Sequence, residues 1–447
     1  MRMGRGVLAA ALMLGALPAA AQEAACPAGE PLSAEADHRR MMDTLGIEAL
    51  RPGRNGMDPD APNAANYDEA ASNPYPRLPP LLVDEEGEAV GAEDWGKRRE
   101  ELIALFDREI YGRVPEDVPP VHWVVISEEA AEIGGIPALI RTYEGRVDNS
   151  ACPGIEVTLD LTLTLPAEAE GPVPAVLSLV FRLPPGVELP EGMRPQGPSA
   201  TERVLSRGWA HAELVPTSVQ PDRGDGLSRG IIGLANRGRP RTQDQWGALR
   251  AWAWGASRAL DALEAAPAVD GDRVAIEGLS RYGKAVLVAM AYDTRFAAGF
   301  SGSSGEGGGS LYRRDNGETL ENLASSGEYH WMAGNFLRYA GPLGWDDLPV
   351  DAHGLIALSA PRPLFVGTGS ADQGDAWVDP RGIFLAARAA SPVWTLLGEE
   401  GVADILYKGA GTEDLGGTLA FRQHGGGHTN GPNWEAFLDF AERHFAD

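Results

Sequence analysis

Apolar positions along the chain follow two rhythms, and the change between them divides the sequence. Within residues 94–111, Leu102, Leu105, Phe106 and Ile110 recur at helical steps, and Asp94 stands where an N-cap would. Residues 33–50 carry a similar amphipathic pattern. Residues 52–80, rich in Pro and Asn, predict an extended wrap or a flexible lead-in. Residues 121–127, 138–143 and 154–165 predict strands of an antiparallel lead-in. After that the pattern becomes short apolar run, then helix. Strands are expected over 174–181, 209–215, 273–277, 296–301 and 363–368, and helices over 246–263, 281–291 and 434–444. Such alternation predicts a largely parallel sheet covered on both faces, an α/β three-layer αβα sandwich. The expected division is a helical and extended lead-in over 22–120 and an α/β domain over 121–447.

Ahead of these elements stand Arg2 and Arg5, an apolar run over 7–17, and Ala19-Ala20-Ala21 before Gln22. That is the pattern of an export signal over 1–21, with an apolar part too short to span a bilayer. The mature chain is therefore expected to be secreted or periplasmic and to have no membrane partner. The 38 Lys and Arg against 64 Asp and Glu give a net charge of −26. Loss of the leader's two arginines takes this to −28, the wrong sign for gripping nucleic-acid phosphates. The 2 cysteines, Cys26 and Cys152, lack the spacing of a metal site. Export permits a disulfide between them, and two free thiols remain the alternative. The 56 Gly and 34 Pro are dispersed, which means many loops but no repeat.

The chemistry concentrates at three places. In Gly278-Leu279-Ser280-Arg281-Tyr282-Gly283-Lys284 a strand runs into a glycine and a helix starts just after Ser280. A serine on such a turn presents its Oγ above the sheet edge, beside the free N–H groups of a helix start. The turn departs from Gly-x-Ser-x-Gly, because the second glycine comes one residue late, and a plain Ser N-cap is the competing reading. His428, in Gly425-Gly426-Gly427-His428, follows the last strand and precedes the final helix, where a base belongs. His424 is the nearby decoy, and His330 is a candidate for lining a pocket. An acid between Ser and His is expected in the loop after 363–368, which offers both Asp372 and Asp375. The order Ser, acid, His is that of the α/β-hydrolases.

With those residues together, the chain resembles the bacterial glucuronoyl esterases of carbohydrate esterase family fifteen. The likeness runs in order through Trp95-Gly96-Lys97-Arg98-Arg99, Tyr111-Gly112-Arg113, Trp252-Ala253-Trp254-Gly255 and the Ser280 turn. It continues through Ser304-Gly305-Glu306-Gly307-Gly308, Arg313-Arg314, Gly317-Glu318, Ala360-Pro361-Arg362-Pro363, residues 375–380 and Gly426-Gly427-His428. The resemblance implies an α/β-hydrolase fold and hydrolysis of glucuronic or 4-O-methylglucuronic acid esters, as in links between glucuronoxylan and lignin. It implies Ser280 as nucleophile, His428 as base, and Arg281 as oxyanion donor through side chain and backbone. From residues alone, Arg281 would be taken for a surface ion pair. Lys284 and Glu318 match positions that bind sugar hydroxyls, and Trp377 matches an aromatic against the uronate. No metal or cofactor is implied.

One position departs from the family. Its usual acid, a Glu just before Ser-Gly-x-Gly-Gly, is Ser303 here. The acid is then expected at Asp375, with Asp372 next and Glu306 third. Two other readings stand beside this one. The first is a general carboxylesterase, acetyl xylan esterase or peptidase on the same fold. The second is a non-catalytic carbohydrate-binding homologue.

Overall fold

Ten strands form one mixed sheet in the computed structural model, which describes Cys26, residues 32–182 and residues 197–446. The export signal expected over 1–21 lies outside the described residues. In chain order the strands are β1 (Val121–Ile133), β2 (Ile136–Val147), β3 (Thr158–Pro166), β4 (Val173–Leu179) and β5 (Ala210–Leu214). They continue as β6 (Val269–Leu279), β7 (Ala298–Gly302), β8 (Leu364–Thr368), β9 (Glu413–Asp414) and β10 (Leu419–Gln423). Their order across the sheet is β1-β2-β3-β5-β4-β6-β7-β8-β10-β9. From β5 through β10 in that order the neighbours run parallel, while β1–β3 and β9 join antiparallel.

Burial explains which strands the sequence displayed. Every residue of β7 and β8 is buried, as expected of strands covered by helices on both faces. The helices Ala248–Glu264 and Arg281–Tyr292 supply Trp252, Leu260, Val286 and Leu287 to that core. β1 is mostly exposed, with a bulge between Val125 and Ser127, and it lies at the sheet edge. Glu128 and Glu129 interrupt its apolar pattern, so it extends well past the predicted end at 127. Gly134 and Gly135, both at positive φ, turn β1 into β2 as a two-residue hairpin requires.

Three further differences have local causes. Asp94 does not cap the helix Trp95–Glu109: its own backbone is helical and its side chain makes no capping bond. The helix Pro380–Leu396 was not expected. It starts on Asp379, whose carboxylate accepts from Gly382 N at 2.9 Å. The apolar run of β10 ends at Arg422 and Gln423 after three residues, so its pattern escapes notice, yet it carries the loop with His428.

Residues 52–80 are the ordered wrap rather than a flexible one. Arg54 forks onto the Asp315 carboxylate at 3.0 and 2.5 Å, and Asn66 O accepts from Gly317 N at 2.9 Å. Glu69 takes two bonds from Arg314, which also reaches Asp379 at 2.7 Å. The wrap therefore braces the segment on which Glu318 lies. Among the described residues, no helix is long and apolar enough to cross a membrane.

Cys26 and Cys152, 126 residues apart, form a disulfide. Closing so long a loop restricts the unfolded chain, and reduction should cost about 2–4 kcal/mol. A thermal melt with reductant should show a lower midpoint than one without. An unchanged midpoint, with mass spectrometry confirming two free thiols, would contradict this.

Candidate active site

The central parallel strands end level with one another. Leu279 of β6 pairs with Gly302 of β7, Gly302 with Gly367 of β8, and Thr368 of β8 with Gln423 of β10. The ladder runs one residue further at each end. Ser280 N donates to Gly302 O at 2.8 Å, Ser303 N to Gly367 O at 2.8 Å, and His424 N to Thr368 O at 3.0 Å. Ser280, Ser303 and the loops with Asp375 and His428 therefore all leave the same carboxyl edge, the usual place for a site in such sheets.

Ser280 has φ 62° and ψ −129°, a conformation costly for any residue with a side chain. Its side chain makes no capping bond, so the plain N-cap reading fails. The flanking glycines explain the unusual spacing. A Cβ on Gly278 would come within 2.6 Å of Tyr282 O, and one on Gly283 within 2.6 Å of Gly302 O. The second glycine is thus needed where the helix passes β7, one position later than in Gly-x-Ser-x-Gly. The first N–H groups of the helix Arg281–Tyr292 have no acceptor within the helix and remain available at the turn.

Asp375 is wholly buried and accepts three hydrogen bonds. Its Oδ1 is 2.6 Å from His428 Nδ1, and its Oδ2 accepts from Ser303 Oγ at 2.7 Å and Gly369 N at 2.6 Å. A carboxylate only accepts, so His428 carries its proton on Nδ1 and keeps Nε2 free to take another. Ser303, at φ 43°, stands where the family usually has Glu, and here it donates to the acid. Asp372 is exposed, and no hydrogen bond involves its carboxylate among the described residues. Glu306 is buried with neither carboxyl oxygen bonded, and burial keeps it protonated well above the usual carboxylate range. His424 engages both ring nitrogens within its own loop, with Thr429 O at 2.8 Å and Gly426 N at 2.9 Å.

A second group lies on the other side of the turn. Lys284 Nζ bonds Glu318 Oε2 at 2.9 Å and also Glu306 O, and both charged side chains are buried. Glu318 N donates to Trp377 O at 2.8 Å, which brings Trp377 alongside. An ammonium and a carboxylate held together can donate to and accept from vicinal hydroxyls. The Trp331 ring lies 5.1 Å from the Arg281 guanidinium carbon and 5.3 Å from Lys284 Nζ.

Sequence reasoning missed Trp331 and Asp222. Asp222 Oδ2 accepts from Arg281 Nη1 at 2.6 Å, and its Oδ1 takes bonds from His330 Nε2 and Trp331 Nε1 at 3.0 and 2.6 Å. Burial opposes the charge on Asp222, but these donors and the Arg281 cation hold its pKa down at about 2. His330, expected to line a pocket, is instead buried behind Asp222, and burial lowers its pKa, favouring the neutral ring. Glu277 also escaped notice. It is buried on β6, accepts from Asn430 in the His428 loop, and is pushed up to about 7 by desolvation.

The chain is similar to known esterases in sequence and in fold. A family model described as "Glucuronyl esterase, fungi" matches residues 241–398. A glucuronoyl esterase structure of carbohydrate esterase family fifteen from Teredinibacter turnerae is 47% identical, with a TM-score of 0.86, covering 92% of this chain and 100% of that one. A carbohydrate esterase from an unknown prokaryotic organism is 31% identical over 87% of this chain and 94% of its own length. The 4-O-methyl-glucuronoyl methylesterase of Hypocrea jecorina is 29% identical over 60% of this chain and 55% of its own length.

Glu277 generates a test independent of activity. Its folded pKa, about 7, lies above the unfolded 4.5, so the native state holds the proton longer and stability falls as pH climbs through that window. The full cost of burying the charge is about 3 kcal/mol. Glu277→Gln lacks this cost. Urea unfolding should show the variant gaining on wild type between about pH 4.5 and about pH 7, with a constant advantage above that window. A difference independent of pH would contradict the assignment.

Proposed function

The chain belongs to the glucuronoyl esterases of carbohydrate esterase family fifteen, and on that premise we propose that it hydrolyses glucuronic and 4-O-methylglucuronic acid esters through an acyl-enzyme on Ser280. The observation that carries this reading is the Asp375–His428 pair at the sheet edge from which Ser280 also emerges. Asp375 fixes the tautomer of His428 and stabilises the imidazolium that forms when Nε2 takes the Ser280 proton. The Ser280 Oγ then attacks the uronate carbonyl carbon. Negative charge on the carbonyl oxygen is met by the Arg281 backbone N–H and guanidinium, donors fixed before the reaction starts. His428 returns its proton to the departing alcohol, and water hydrolyses the acyl-enzyme by the same route.

Lys284 and Glu318 bind the sugar hydroxyls, with Trp377 against the ring. Support comes from their joint placement: one buried ion pair, hydrogen-bonded through the backbone to Trp377. Residues 22–120 are the lead-in, of which 52–80 brace this corner, and 121–447 supply the catalytic unit. An exported esterase of this kind would act on ester links between glucuronoxylan side chains and lignin alcohols, substrates too large to enter a cell. The net charge of −26 suits a partner that is neither nucleic acid nor anionic membrane.

Ser280→Ala should lower kcat on benzyl glucuronate by on the order of 10⁶ while leaving the thermal midpoint close to wild type. Substantial residual turnover would remove Ser280 from the nucleophile's role. The sugar assignment has its own check. Benzyl glucuronate should be cleaved at least about tenfold better than benzyl galacturonate, which inverts one hydroxyl, and far better than p-nitrophenyl acetate, as judged by kcat/KM. Equal turnover of all three would mean a general carboxylesterase.

A further inference from the structure

An oxyanion donor on a long side chain works only if something fixes it. Arg281 follows the nucleophile directly, and 39% of its side chain is exposed. Its Nη1 is committed to Asp222 Oδ2, while Nε and Nη2 make no hydrogen bond with a described residue. Asp222 comes from the loop after β5, another parallel strand of the same edge, and is itself anchored at its other oxygen. Trp331 Nε1 can only donate, and against a carboxylate His330 Nε2 must donate too. The carboxylate is therefore oriented by two neutral donors before it meets the cation.

We propose that Asp222 is a positioning residue for the ester hydrolysis, holding one edge of the Arg281 guanidinium so that the other edge faces the acyl oxygen. The proposal rests on the reading of Arg281 as an oxyanion donor. Two features keep Asp222 from simply cancelling the charge of Arg281. The bonds from His330 and Trp331 draw carboxylate charge to Oδ1, away from the cation. The Trp331 ring, against both Arg281 and Lys284, closes the space into which the guanidinium would otherwise swing. Asp222 thereby links the reacting edge to the sugar-binding corner through one indole.

A double-mutant cycle on benzyl glucuronate tests this. Asp222→Asn keeps the shape but loses the charge, and it should lower kcat about 10–100-fold with KM nearly unchanged. Arg281→Ala should lower kcat on the order of 10²–10³. The double variant should be no worse than Arg281→Ala alone, because Asp222 then has nothing to position. Trp331→Phe removes one donor to Asp222 and keeps a ring. It should give a smaller loss in kcat, again absorbed in the Arg281→Ala background, and it carries the test if Asn at 222 does not fold. Multiplying losses, a loss confined to KM, or a rise in kcat for Asp222→Asn would overturn the positioning role while leaving Arg281 in place. Full activity of Arg281→Ala would overturn the oxyanion reading and the proposal with it.

Discussion

Asp375 is a carboxylate with no exposed surface, and the carboxyl edge of the sheet is organised around making that burial tolerable. A buried charge without partners costs several kcal/mol, so the fold must bring donors to it. The donors come from three places: Ser303 just past β7, the backbone of Gly369 just past β8, and His428 in the loop after β10. The bonds that satisfy Asp375 therefore also set the spacing of three strand ends. His428 gains its tautomer and its position from the same interaction. Ser303 shows how the site accommodates an acid on the later strand: the position that would otherwise carry the acid holds a small hydroxyl donor to it.

The remainder of the site depends on a second set of long-range contacts. The wrap over 52–80 is tied through Arg54 to Asp315 and through Glu69 to Arg314, two successive residues just before the turn leading to Glu318. Glu318 in turn pairs with Lys284, one helical turn beyond Ser280. The Ser280 edge and the Lys284–Glu318 pair are thus held by different parts of the chain that meet on the helix Arg281–Tyr292. On the proposed roles, binding energy from the sugar would orient the ester carbonyl.

Much of this was legible in the sequence, and the failures have physical reasons. The α/β alternation showed because strands such as β7 and β8 are buried on both faces and read as continuous apolar runs. β1 was cut short because an edge strand needs few apolar residues, and β10 was passed over because Arg422 and Gln423 end its apolar run after three residues. Ser280 and His428 stood out because their turns demand glycines in fixed places. Asp372 and Asp375 lie in one loop with similar reach, and sequence position alone could not separate them. The separation comes from Gly374, at φ 104°, where the chain turns after exposed Asp372 and carries Asp375 inward. Asp222, Trp331 and Glu277 left no local signature, since each acquires its role from residues distant in the chain.

The claim that most needs testing is that a buried Asp375, and no other acid, orients His428. The direct measurement is kcat on benzyl glucuronate for Asp375→Asn beside Asp372→Asn. The first should lose about 10⁴-fold, as when an isosteric amide leaves the base in the wrong tautomer, and the second should stay close to wild type. A crippled Asp372→Asn with a near-normal Asp375→Asn would contradict the account.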